Sequence, residues 1–442
     1  MTTGDRPPSV DGEAPAGATA ADAGTTVVSD AGPMATVIKP PPDGRRNKSR
    51  KRRRKRRRPV YAPEMRPHPG GKESLPRVPE VVPPVSAHES PLSVTVVRNE
   101  NAPVYAALDL GTNNCRLLVA TPREYGFRVV DAFSRIVRLG EGIGVSGRLA
   151  QPAMDRAIEA LQVCRAKLAA RNVVRARLIA TEACRLAANG ANFVDRVERE
   201  TGLVLEVVTQ ETEARLAVAG CASLVDPAAR GVILFDIGGG SSELVWIDLA
   251  AGENDGRRRR MTDRIRAWMS LPVGVVNASE RHGGRHVTPD LFEAMVGEVM
   301  EMLSGFPEAE ALDRAVASGD VHMLGTSGTV TTLAGVHLRL PRYDRRRVDG
   351  IWLTARQVGN LVGTLVAMDY DARIANPCIG RERADLVLAG CAILEAMRRR
   401  WPCERLRVAD RGLREGALVE MMAEDGVWRR RSGRRAGDRR HG

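Results

Sequence analysis

Tyr105-Ala-Ala-Leu-Asp109-Leu-Gly111-Thr112-Asn113-Asn114-Cys115-Arg116-Leu-Leu-Val119 runs from one apolar segment, through a small polar turn, into another. Val232-Ile-Leu-Phe-Asp236-Ile-Gly238-Gly239-Gly240-Ser241-Ser242-Glu243-Leu-Val-Trp246 repeats the plan, with its aspartate 127 residues further on. Two apolar runs joined by a few Gly-containing residues read as a β-hairpin. Such a turn aims backbone N–H groups into one concavity, which favours anions. An aspartate at its mouth can hold a divalent cation against phosphate oxygens. A single Gly-rich loop is most often an ordinary tight turn. Two with matched aspartates predict a duplicated fold that grips phosphate from both sides.

The surrounding chain fits that duplication. After the first hairpin, residues 127–136 read as a third strand and 152–170 as a helix with Ala, Leu and Val at helical spacing. A short strand over 177–180, a helix over 193–200 and a strand over 203–208 follow, and Thr209 is placed to cap a helix reaching about 224. Strands alternating with helices after an opening hairpin predict an α/β fold. The second half starts at Gly231, with Thr354 as an N-cap, a long helix over 382–400, a strand over 406–409 and a closing helix over 413–424. Residues 254–260, Asn-Asp-Gly followed by four Arg, read as a loop in that half.

Composition separates this body from its ends. Residues 1–100 are rich in Pro, Gly, Ala and Ser and cannot bury enough surface to offset ordering entropy. The net charge is +13, yet residues 45–58 alone carry twelve cations and no acid, and residues 429–442 carry +6. Without those contributions the rest is −5. So dense a basic run stays unfolded and behaves as an interaction arm, expected to attract nucleic acid or polyphosphate with strong salt dependence. The expected layout is a Pro-rich tail over 1–100, one domain over 101–228, a second over 229–426 whose closing helix packs back on the first, and a basic tail over 427–442. Seven scattered cysteines without Cys-x-x-Cys spacing fit reduced thiols, mostly packing residues, with Cys115 set apart inside the first loop. The amino terminus lacks an apolar signal core, and no stretch reaches the ~20 apolar residues that span a bilayer. A soluble, cytoplasmic protein is expected, with a homodimer left open.

Six segments in order carry a family likeness: the two loops, Ala180-Thr181-Glu182-Ala183-Cys184-Arg185, Glu213-Ala214-Arg215-Leu216, Gly325-Thr326-Ser327-Gly328-Thr329 and Asp410-Arg411-Gly412-Leu413-Arg414-Glu415-Gly416. Over roughly residues 103–424 the chain resembles the exopolyphosphatase and guanosine pentaphosphate phosphohydrolase family of the actin-like ATPase superfamily. The resemblance implies two ribonuclease-H-like domains flanking a phosphate-binding cleft. It implies hydrolysis of a terminal phosphate from inorganic polyphosphate or guanosine pentaphosphate.

Cleaving a phosphoanhydride calls for positioning and charge neutralisation more than covalent help. Gly111, Thr112, Asn113 and Asn114, with Gly238, Gly239, Gly240, Ser241 and Ser242, are expected to cradle phosphates. Asp109 and Asp236, with Glu243, are expected to hold Mg²⁺ (or Mn²⁺) directly or through waters. Arg116 and Arg185 are expected to neutralise substrate charge. Gly325, Ser327 and Gly328 should frame the cleft, and Arg383 is a candidate phosphate or guanine contact. A Glu in a first helical turn is usually a capping partner; the resemblance assigns Glu213 the role of general base. The helix dipole there is expected to favour its charged form. The family pattern Ser-Gly-x-Glu-Glu-Ala-Arg-Leu is altered here, with Gln210 in place of the Gly and Thr212 in place of the first Glu.

No Gly-x-x-x-x-Gly-Lys-Ser/Thr occurs, which excludes a P-loop NTPase by its own signature. Glycines around His282 and His286 spoil a helical zinc pair. Two other readings stay open, a polyphosphate-dependent phosphotransferase and a non-catalytic sensor of phosphate polymers or alarmones. Longer family members carry an extra helical carboxy-terminal region that holds long polymers; its place here is taken by Arg-rich sequence, so tight processive handling by the body is not expected.

Overall fold

Residues 102–124, 126–250 and 260–428 are described by a computed structural model of the chain. The expected Pro-rich tail with its basic run, the Arg cluster up to residue 259, and the basic residues 429–442 lie outside these described residues.

Two sheets dominate. The first holds β1 (Tyr105–Leu110), β2 (Asn114–Pro122), β3 (Phe127–Ile136), β4 (Arg175–Ala180) and β5 (Glu206–Val207), in the order β3-β2-β1-β4-β5. Strands β1, β2 and β3 form an antiparallel meander, and β4 and β5 join in parallel. The second holds β6 (Gly231–Ile237), β7 (Ser242–Asp248), β8 (Ile265–Leu271), β9 (Val321–Thr326), β10 (Trp352–Thr354) and β11 (Arg405–Val408), in the order β10-β11-β9-β6-β7-β8. Its meander of β6, β7 and β8, continued in parallel by β9 and β11, repeats the first sheet, and β10 adds an antiparallel edge. The repeat extends to register: Asp109 faces Arg116 across its hairpin, and Asp236 faces Glu243 across the other. This two-sheet α/β duplication is the expected fold class.

Around the first sheet lie α1 (Ile143–Ser146), α2 (Gln151–Ala170), α3 (Glu182–Leu186), α4 (Gly190–Thr201) and α5 (Gln210–Cys221). Around the second lie α6 (Val275–Arg281), α7 (Pro289–Leu303), α8 (Ala309–Ala317), α9 (Ser327–His337), α10 (Arg345–Val348), α11 (Ala355–Ala367), α12 (Tyr370–Ala375) and α13 (Val387–Arg400). The last helix, α14 (Leu413–Glu424), leaves the second sheet and packs Leu413, Ala417, Leu418 and Met421 on Tyr105, Ala107 and Leu118 of the first. Helix α5 is shared: Leu216 joins that same cluster, while Ala214, Ala217, Val218 and Cys221 cover β6 and β7.

Helices α5 and α14 approach as closely as backbones allow. A Cβ at Gly416 would lie 2.0 Å from the Leu216 carbonyl oxygen, and one at Gly220 would lie 2.0 Å from that of Gly412. Glycine is required there for contact, not for a turn.

Some boundaries differ from the sequence reading. Helix α13 starts at Val387, not 382, because Gly380 turns left-handed at φ +71° and residues 383–387 close turns onto Gly380 and Arg383. The strand expected over 203–208 pairs only at Glu206 and Val207, while Leu203 and Leu205 turn into the core. Cys115 points from β2 into the core, fully buried, rather than into the loop, and all seven cysteines are buried and unpaired. Val427 and Trp428, counted with the tail from sequence, pack against the α14 cluster, and Trp428 Nε1 donates to the Arg123 carbonyl at 2.8 Å. Among the described residues no helix is long and apolar enough to cross a membrane.

Candidate active site

The two hairpin turns close identically. Gly111 N–H donates to the Asn114 carbonyl at 2.9 Å, and Gly238 N–H donates to that of Ser241 at 3.0 Å. Those two amides are therefore spent inside their turns and cannot meet a ligand, contrary to the expectation that the whole run from 111 cradles phosphate. Amides of Thr112, Asn113, Gly239 and Gly240 have no protein acceptor among the described residues. The turns face one another: a Cβ at Gly239 would lie 2.8 Å from Thr112 Cβ, and one at Gly240 would lie 3.0 Å from Thr112 Oγ1. Each turn is braced from behind. Thr112 and Asn113 carbonyls accept from Gly140 and Val137, and Gly238 and Gly239 carbonyls accept from Val275 and Val276.

Between the turns lies a cavity of about 100 Å³ lined by Asp109, Gly111, Thr112, Asn113, Asn114, Arg116, Glu213, Asp236, Gly238, Gly239, Gly240, Ser241, Glu243 and Ser327. The sequence reading named all of these. Its acids have left water and crowd one another, which penalises their charged forms. Burial first, then the Asp109 charge, raises Asp236 to about 6. Burial first, then Asp236, raises Glu243 to about 7, although Ser241 and Ser270 hydroxyls donate to its Oε1 at 2.7 and 3.0 Å. Burial also raises Asp109, against the opposing pull of Arg116 and Arg414.

Glu213 enters from the first turn of α5. Thr209 caps that helix through Thr212 N–H at 3.2 Å, and the two threonine hydroxyls meet at 3.0 Å, so the altered Gln210 and Thr212 still give a regular helix start. The expected charged carboxylate is not what the surroundings favour. Burial first, and Glu243 second, push Glu213 well above the usual carboxylate range, with Arg185 opposing. Desolvation outweighs the helix dipole here because the side chain turns into an acidic chamber.

Five expected site residues lie elsewhere. Arg185 stands behind the cavity wall and does not line it, with both terminal nitrogens 3.4 Å from Glu213 Oε2, one also on the Val208 carbonyl at 2.6 Å and the other bound to Glu182. Ser242 points inward on β7 and donates to the Val273 carbonyl at 2.7 Å. Gly325 sits inside β9, where a Cβ would meet the Phe235 ring at 2.5 Å, so its smallness serves core packing. Gly328 and Arg383 line an adjoining, more apolar recess with Ile237, Val275, Leu386 and Val387. Conversely, Thr181, Glu182, Asp410, Arg411, Arg414 and Glu415 line the inner cavity without having been assigned there. All six fall in quoted motifs, so the signal was present in the runs 180–185 and 410–416.

Compared with known proteins, residues 118–425 match the profile of the Ppx/GppA phosphatase family, well over half of the chain. The chain belongs to the Ppx/GppA phosphatase family. A Ppx/GppA relative from Aeromonas salmonicida, a guanosine-5'-triphosphate,3'-diphosphate pyrophosphatase, is 28% identical over 325 residues, 74% of this chain and 60% of the relative. The chain thus spans about 60% of the length of the curated relatives it matches. The crystal structure of the Aquifex aeolicus Ppx/GppA member matches with a TM-score of 0.58 at 28% identity, covering 73% of this chain and 98% of that one. A solved exopolyphosphatase-like protein matches with a TM-score of 0.64 at 26% identity, covering 73% and 99%. In this Ppx/GppA chain, facing turns, crowded acids and the partly buried Glu213 share one cavity, an arrangement suited to gathering phosphoryl oxygens beside a proton acceptor.

Proposed function

We propose that the chain is a divalent-cation-dependent phosphoanhydride hydrolase releasing terminal phosphate from inorganic polyphosphate or guanosine pentaphosphate. The observation that carries this reading is the opposition of two turns closed by the same hydrogen bond, each preceded by an aspartate, with Glu213 in the same cavity. Among the described residues no three His, Cys, Asp or Glu side chains converge tightly enough to cage an ion. Asp109 and Asp236 would hold Mg²⁺, with the buried and unpartnered Asn113 Oδ1 and Glu243 lining the same cavity. Mg²⁺ bound there would neutralise phosphate charge.

The protein's own groups would supply the rest. Amides of Thr112, Asn113, Gly239 and Gly240 would hold the phosphoryl oxygens. Glu213 would accept a proton as water attacks the terminal phosphorus and the P–O bond to the shortened chain breaks. The Arg185 guanidinium opposes the burial that favours the neutral form of Glu213 and so helps keep it able to accept that proton. Arg185 would position Glu213 rather than touch the substrate. The apolar recess beside the cavity favours guanosine pentaphosphate, because a nucleoside fills such a surface and a bare phosphate chain does not. Residues 45–58 would add non-specific affinity for polyphosphate or nucleic acid through counterion release. Parallel assays of phosphate release from tripolyphosphate and guanosine pentaphosphate, with Mg²⁺ and with chelator, test the reading. Release in chelator equal to that in Mg²⁺ would refute its metal dependence.

A further inference from the structure

Most arginines around the inner cavity are already committed. Arg185 serves Glu182, Glu213 and the Val208 carbonyl. Arg345 serves Asp410 and Glu415, and Arg411 serves Asp349 and Ser223. Arg116 and Arg414 differ: both line the cavity, and neither has a side-chain hydrogen bond or ion pair among the described residues. The acid nearest Arg414 in sequence attracts it through space but makes no hydrogen bond to it. Glu415 Oε1 accepts from Arg345 at 2.6 Å, and its Oε2 accepts from the Gly412 N–H at 2.9 Å. Arg414 therefore stands without a hydrogen-bonded partner, attracted through space by Glu415 and then Asp109 and repelled by Arg116 and Arg345.

Two cavity-lining guanidinium groups without a hydrogen-bonded partner repel one another at some cost in the ligand-free protein. That cost is removed by an anion placed between them, and charge-assisted bonds to a phosphoryl group are about twice as strong as neutral ones. The position of Arg414 is also fixed. It sits in the first turn of α14, whose Gly416 locks against Leu216 of α5, three residues beyond Glu213. Base and guanidinium are thus carried on two helices that cannot move independently at their contact.

We propose that Arg414 is a substrate contact of the hydrolase described above: its guanidinium grips non-bridging oxygens of the phosphoryl group under attack and, with Arg116, takes up the charge that develops there. The sequence reading placed no role on this residue. The inference rests on the hydrolase reading for its chemistry and on the uncommitted guanidinium for its geometry.

Arg414→Gln and Arg414→Lys in the full chain test it, with tripolyphosphate as probe. Arg414→Gln is expected to lower kcat/KM by about 10²–10³-fold, the scale for loss of a preorganised charge-stabilising donor. The ligand-free melting temperature should stay near that of the wild type, since no hydrogen bond or ion pair is lost, whereas a purely structural arginine would lower it. The upward melting shift that tripolyphosphate gives the wild type should largely vanish. Arg414→Lys should keep part of that shift and little turnover, because it keeps the charge without the fork. A wild-type tripolyphosphate shift in Arg414→Gln overturns the proposal. So does a lowered ligand-free melting temperature with kcat/KM reduced less than 10-fold. If wild type binds tripolyphosphate through Arg414 yet releases no phosphate from any substrate, the hydrolase reading falls while the contact stands.

Discussion

An alanine at Gly416 would put its Cβ 2.0 Å from the Leu216 carbonyl oxygen, where real contacts are essentially never under 3.0 Å. At least about 1 Å must therefore be found, and the obstructing atom is helix backbone, so α5 and α14 have to separate. Overpacking of this size costs about 1–3 kcal/mol. Replacing a mid-helix glycine returns about 1 kcal/mol of helix propensity. Net destabilisation is then about 0–2 kcal/mol, small against the stability of a folded domain. Catalysis is less forgiving, because a 1 Å misplacement can cost about 10²-fold. Glu213 and Arg414 lie on the two helices being pried apart. The expected signature is a variant that folds, with a urea midpoint near that of wild type, and loses about 100-fold in turnover on tripolyphosphate. Wild-type turnover with the same midpoint would refute the claim that this helix contact sets the catalytic spacing.

Three further outcomes follow from the same structure. In chelator, Glu243 and Asp236 hold protons to about 7 and about 6, against ordinary values of 4.5 and 3.8. The folded state thus binds more protons than the unfolded chain between about pH 4 and 7, so their contribution to stability is full at low pH and lost as pH rises through 7. Glu243→Gln should gain melting temperature relative to wild type between pH 5 and 8, and a constant difference would contradict this. Asp236→Asn should raise the Mg²⁺ concentration needed for half-maximal turnover or abolish activity, and an unchanged Mg²⁺ dependence would remove Asp236 from the metal site. Exchanging the twelve basic residues within 45–58 for glutamine should weaken binding to long polyphosphate or RNA and flatten its salt dependence, with short-substrate turnover intact. A salt slope equal to wild type would show that this run binds neither.

Asp109 and Asp236 were legible because each ends an apolar strand just before a glycine turn, a pattern that repeats in register as well as in sequence. Which way a side chain points beside such a turn was not. Strand alternation turns Cys115 and Ser242 inward, although both sit within the motifs that form the cavity. Gly325 was expected to frame the cleft, yet it is the last-but-one position of β9 and is small because Phe235 packs there. The direction of Arg185 depends on Glu182 and Glu213, contacts that no local pattern encodes. Arg414 and Glu415 reach the cavity only because α14 returns from the second sheet to cover the first, roughly 300 residues after β1. That return depends on the apolar residues of α14 matching β1 and β2, a long-range fit outside the reach of motif reading. The same long-range crowding explains why Glu213 is pushed towards its neutral form when its place in the helix suggested the reverse.

The most direct test of the central claim is phosphate release by wild type and Glu213→Gln, measured side by side on tripolyphosphate and guanosine pentaphosphate in saturating Mg²⁺. The account predicts release by wild type from at least one substrate, and a fall of about 10²-fold or more in Glu213→Gln, the scale of acid–base participation, with little change in substrate binding. No release by wild type from either substrate, or undiminished release by Glu213→Gln, would contradict it.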